Sequence, residues 1–204
     1  MQDTKRSKRL HLTQLGMLSA IIILMSFTPL GYLKVGFLEI TFLPIPVVVG
    51  AIMLGPLDGA ILGAIFGLTS FAQCFGLSAF GSTLLSINPV YTFILCLVPR
   101  ILIGLFSGYV LKGLKKIHAN QFVAYSLASL AGALTNTVFF VGFLLLFFLQ
   151  TDFIQSFGNS TIEILGVLIT VNVIIEAVVC AVIGTLLAKA LGIVFIKMNK
   201  PSSI

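Results

Sequence analysis

Apolar residues fall in long runs along this chain, and glycine, proline and short polar stretches cut those runs into six segments. The first covers residues 12–27 and stops at Thr28-Pro29. A loop over residues 30–42 follows, carrying Gly31, Lys34, Gly36 and Glu39. The second segment, 43–54, opens on Pro44 and Pro46 and ends at Gly55-Pro56-Leu57-Asp58-Gly59, a turn by its glycine and proline content. The third, 59–75, gives way to a small, polar stretch at 76–86. The fourth is 89–111, the fifth 122–149 and the sixth 162–196, with a basic connection at 112–120 and a polar loop at 151–160. Crossing a bilayer takes about 20 apolar residues. Segments two and three are marginal by that measure and read either as two spans or as one re-entrant pair. Six helical spans are the expectation.

Composition agrees with that pattern. Of 204 residues, 58% are hydrophobic and only 9% charged, and the mean hydropathy is +1.16. A soluble domain carries about 25% charged residues, so this chain needs lipid around it. One membrane domain over residues 1–204 accounts for the whole length, with a basic amino-terminal stretch at 1–11 and a tail at 197–204.

The net charge of +6 would suggest nucleic acid in a soluble protein, but its placement points to a bilayer instead. Lys5, Arg6, Lys8 and Arg9 precede the first segment; Lys112, Lys115 and Lys116 share one connection; Lys189, Lys197 and Lys200 lie near the end. Cytoplasmic ends and loops collect cations in this way, so both termini and the 112–120 connection are expected inside. An even number of crossings on each side of that connection satisfies the charges, with or without the re-entrant pair. The basic start resembles a signal peptide, but no small-residue cleavage site follows, so a retained first span is expected. Cys74, Cys96 and Cys180 are scattered in apolar surroundings and read as small buried hydrophobes, with neither disulfide nor metal spacing.

Small residues recur four apart: Gly59, Gly63 and Gly67; Gly104 and Gly108; Ala124, Ala128 and Gly132; Gly16 and Ala20. Such faces let helix backbones approach closely in lipid. Most should pack inside the bundle, whereas the Gly16–Ala20 face on the first helix suits either internal packing or docking of a partner.

Polar groups within apolar spans cost free energy and mark function. On the fourth segment Asn88, Thr92, Cys96 and Arg100 stand at successive four-residue intervals and form one stripe. Arg100 is eleven residues beyond Pro89, about 16 Å at 1.5 Å per residue. Asn136 lies at similar depth on the fifth segment, and Asn172 and Glu176 on the sixth. Their convergence is how a helix bundle builds a small-molecule site, with Ser70, Gln73 and Tyr91 as candidates on its outer side. The plainer reading makes Arg100 and Glu176 a neutralising pair, but two charges and two asparagines exceed what packing requires. There is no phosphate loop, no His-Glu-x-x-His and no Gly-x-Ser-x-Gly. No catalytic residue, metal site or cofactor is expected, and His11 and His118 sit in the cytoplasmic flanks.

Several stretches together resemble the substrate-binding S components of energy-coupling factor (ECF) vitamin transporters. They are Leu43-Pro44-Ile45-Pro46-Val47 through Gly55-Pro56-Leu57-Asp58-Gly59 and on to Gly67, then Asn88-Pro89, the span with Arg100 and Gly104, and Ala133-Leu134-Thr135-Asn136-Thr137. The resemblance covers nearly the whole chain, rests on the order of the motifs, and is strongest to the pantothenate-specific member. It implies a six-helix bundle that binds one vitamin near the outer face under a lid formed by the first loop. It also implies assembly with a transmembrane scaffold of the EcfT type and two cytoplasmic ATPases of the EcfA type, docked through a small-residue face where Gly16 and Ala20 stand. ATP hydrolysis would then lie in other subunits. The alternatives are an S component for another vitamin such as folate or a thiamine-type precursor, or a stand-alone ion-coupled carrier using Glu176. Such a carrier would be expected to show inverted repeats with broken helices, and the sequence has none.

Overall fold

The computed structural model describes residues 2–29, 31–35, 38–157, 166 and 178–190. Helix α1, Gln2–Ser26, carries the first apolar segment. Leu18, Ile22 and Ser26 are buried at four-residue spacing, while Gly16 and Ala20 lie on the exposed side. The loop that follows departs from an all-helical chain. Strands β1 (Tyr32–Val35) and β2 (Leu38–Thr41) pair antiparallel, with Lys34 opposite Glu39. Tyr, Val, Ile and Thr on both sides of Gly36 favour extended backbone, and pairing needs only neighbouring residues. The hairpin base is closed by the Phe42 amide donating to the Gly31 carbonyl at 2.9 Å. Gly31 is buried, and a Cβ there would collide with the Met25 carbonyl, so close approach is what requires glycine.

Helix α2, Pro44–Met53, starts on prolines at positions where no helical N–H bond is lost. Every residue from Pro44 to Ile52 is buried, which explains an apolar run without helical periodicity. Its 10 residues cover about 15 Å, half of a hydrocarbon core of about 30 Å. Gly55, at φ 120°, turns the chain into α3 (Pro56–Gln73). A side chain at that φ would be strained.

Helix α5, Pro89–Lys116, runs beside α3, and the two predicted glycine faces meet there. A Cβ on Gly67 would stand 2.9 Å from the Cys96 carbonyl oxygen, and one on Gly108 would stand 2.5 Å from Pro56 Cα. A Cβ on Gly63 would strike the Arg100 carbonyl, and one on Gly104 the backbone of Gly59. These stripes are therefore internal packing surfaces. Between α3 and α5 the small, polar stretch forms α4, Ala79–Ile87, capped by the Ser78 hydroxyl accepting from the Gly81 amide at 3.2 Å. Helix α6, Gln121–Phe148, packs against α5, and Gly132 meets Ser107 and Val48 at the crossing. A short turn, α7 (Asp152–Gln155), sits in the polar loop. Of the sixth segment, α8 (Val178–Ala190) is described.

Three described helices are long and apolar enough to cross a membrane: Arg9–Ser26, Pro89–Lys116 and Gln121–Phe148. One apolar core surrounds α2 and includes Ile22, Leu62, Phe66 and Ile103. A second lies at the other end of α5 and α6, where Leu84, Leu95, Leu144, Phe148 and Ile154 close together. At the opposite end His11 Nε2 approaches Asp58 Oδ2 at 3.0 Å, tying α1 to the first turn of α3.

A candidate binding site around Arg100

Arg100 sits on the inward stripe of α5 that the sequence marks out. Cys96 and Thr92, one and two turns away from it toward Asn88, are buried. The guanidinium lies between two aromatic rings, 5.4 Å from the Phe66 centroid on α3 and 4.7 Å from that of Phe140 on α6. Electron-rich ring faces attract a cation where water is scarce. Nη1 donates to the Leu95 carbonyl at 3.0 Å. Nε is buried and has no hydrogen-bond partner among the described residues, and no described carboxylate stands within ion-pair distance of the group. A cation so enclosed offers a planar fork to an incoming carboxylate.

Asn136 is buried on α6, one turn before Phe140, and so belongs to the helix face that meets Arg100. Asn172 and Glu176 lie outside the described residues. The remaining candidates divide. Tyr91 stacks on Phe147 with centroids 4.7 Å apart and is half-exposed, on the outer side of the aromatic cluster. The Asn88 side-chain oxygen is committed to capping α5, accepting from the amides of Val90 and Tyr91 at 3.1 Å each. Gln73 is buried but turned toward α1, where its amide donates to the Ser26 carbonyl. Ser70 is half-buried, and its carbonyl accepts from the Cys74 thiol at 3.4 Å.

The Gln73 contact is part of a polar seam that sequence reasoning missed. The Ser26 hydroxyl donates to Thr69 Oγ1 at 2.8 Å, and Thr69 Oγ1 to the Phe66 carbonyl at 2.9 Å. Ser26 and Thr69 stand at the apolar margins of their segments, where a hydroxyl signals nothing by itself. Phe66 and Phe140 were equally hidden, because an aromatic on an apolar face reads as core. Cys74, Cys96 and Cys180 are buried, as their apolar surroundings led one to expect, and Cys74 and Cys96 approach to 3.9 Å between sulfurs. Among the described residues no group of three potential ligands gathers for a metal. On α1 a Cβ added at Gly16 would meet nothing within 4 Å, and Ala20 is exposed beside it.

Residues 10–188 match the family described as ECF transporter, substrate-specific component. The chain belongs to that family. It is 31% identical over 156 residues to the pantothenic acid transporter PanT of Lactococcus lactis subsp. cremoris, covering 72% of this chain and 74% of that protein. It is 30% identical over 211 residues to the pantothenate transporter PanT of Leuconostoc mesenteroides subsp. mesenteroides, covering 99% of this chain and 98% of that protein. The resemblance read from the order of motifs is thus borne out, including its leaning toward the pantothenate-specific member. A family of transporter substrate-specific components, with three helices able to cross a membrane, makes this a membrane protein of transport.

Proposed function

We propose that this chain is the high-affinity, membrane-embedded capture subunit of an ECF-type importer, and that its substrate is pantothenate. The observation that carries the reading is Arg100: a guanidinium packed against two rings, its buried Nε without a partner among the described residues, in a chain whose relatives are named for pantothenate. Pantothenate has one carboxylate, an amide and two hydroxyls. Arg100 takes the carboxylate, while Asn136 and Asn172 serve the amide and hydroxyls. Glu176 accepts from a hydroxyl or orients Arg100, and the residues 30–42 close over the bound vitamin from outside.

The same reading makes residues 1–204 one transmembrane domain with six crossings in the cell membrane and both ends in the cytoplasm. The open face at Gly16 and Ala20 supports docking to an EcfT-type scaffold, through which two EcfA-type ATPases supply the energy. The chain itself then binds no nucleotide. Uptake of labelled pantothenate into cells expressing this chain with and without the scaffold and ATPases is the test. Uptake only with the complete set is expected. Uptake by the chain alone would make it a stand-alone carrier, and preference for folate or a thiamine precursor would reassign the vitamin.

A further inference from the structure

We infer that Pro99 is a positioning residue for the binding site: by leaving the Leu95 carbonyl without its helical partner, it creates the acceptor that holds the Arg100 guanidinium in place. This rests on the reading of Arg100 as the carboxylate-binding group. In an α-helix the amide of each residue donates to the carbonyl four residues earlier, so the Leu95 carbonyl should receive the amide of residue 99. Proline has no amide hydrogen, and its ring pushes that carbonyl aside. Pro99 is buried within α5, and Leu95 is buried too, so water does not readily fill the vacancy. The side chain that takes it is Arg100, whose Nη1 reaches back five residues to the Leu95 oxygen at 3.0 Å.

That bond has a consequence for the ligand. An arginine side chain is long and has many rotamers, and ordering it on binding would cost affinity. With one Nη held by the carbonyl and the group packed against Phe66 and Phe140, the guanidinium is held before the ligand arrives. Nε remains without a partner among the described residues, so one edge of the fork stays available to an anion. The neighbouring crossing adds a restraint. Gly63 of α3 packs directly on the Arg100 carbonyl, which fixes the backbone from which the side chain departs. Proline, carbonyl, guanidinium and two rings thus form one device, with each part needed for the aim of the next.

Two measurements on the purified full chain test it, using Pro99→Ala, which restores the amide and keeps a good helix former. First, modification of Arg100 by phenylglyoxal, followed by mass spectrometry without ligand, should be faster in Pro99→Ala than in the parent chain. An unchanged rate would overturn the inference. Second, calorimetry should show Pro99→Ala weakening pantothenate by about tenfold, within the cost of impairing a charge-assisted bond. Binding of the alcohol that carries hydroxymethyl in place of the carboxylate should stay as it was. Equal weakening of acid and alcohol would mean that Pro99 acts through the general shape of α5, and the inference fails. The modification rate decides alone where the alcohol binds too weakly to measure. If Arg100→Gln leaves pantothenate affinity unchanged while Pro99→Ala still speeds modification, the positioning of Arg100 stands and its assigned role in binding falls.

Discussion

A single arginine in an apolar helix raises the question of what neutralises it. Here two aromatic faces and one freed carbonyl share the task among the described residues, and no described carboxylate takes part. The expected behaviour of Arg100→Ala follows. Losing the partner of a buried charge-assisted bond typically costs about 2–5 kcal/mol, so pantothenate should bind at least about tenfold more weakly in calorimetry on the purified chain. Unchanged affinity would reduce Arg100 to a structural cation. The polar stripe of α5 was legible in the sequence as a run at four-residue spacing, but its members do different things. Asn88 caps, Thr92 returns its hydroxyl to the Asn88 carbonyl at 2.9 Å, Cys96 meets Cys74, and Arg100 alone offers a charged edge without a partner among the described residues. Spacing tells which face a residue occupies, and only its neighbours tell what it bonds.

Between elements, the decisive contact is the glycine seam of α3 and α5. Gly63→Ala should lower stability by about 1–3 kcal/mol, the usual cost of forcing extra volume into a tight crossing, because its methyl would press on the Arg100 backbone. Thermal unfolding in detergent measures this, and an unchanged midpoint would show that the helices yield. The face at Gly16 and Ala20 predicts the opposite, since nothing lies within 4 Å of a Cβ at Gly16. Gly16→Leu or Ala20→Leu should leave pantothenate binding intact and abolish co-purification with the scaffold. Loss of ligand binding as well would make this an internal face. The hairpin predicts a ligand effect of its own. Proteolysis within residues 30–42 should slow at saturating pantothenate, and equal cleavage with and without the vitamin would remove the lid from the account.

For the whole molecule, the proposed orientation in the membrane rests on the clustering of charge. Cysteine introduced at Asn159 should react with an impermeant reagent from outside intact cells, and cysteine at Asn120 should not. The reverse pattern would invert the topology. The His11–Asp58 contact joins the amino end of α1 to the first turn of α3. The short α2 falls on a segment read as marginal for a span. It was legible as an apolar run opened by prolines, and its 10 residues are buried almost throughout, inside the bundle.

The sequence by itself determined the class, the main helices and the faces that pack. These depend on local properties: apolar length against bilayer thickness, glycine at a four-residue period, and cations gathered at segment ends. It could not tell that Gln73 turns to Ser26, or that Phe66 and Phe140 flank Arg100. Those contacts join residues distant along the chain, and they depend on how each helix is rotated and where it crosses its neighbour. The Leu95–Arg100 bond stands between the two cases. Pro99 announces a vacant carbonyl in the sequence, but only the packing of α3 and α6 around α5 decides which group comes to fill it.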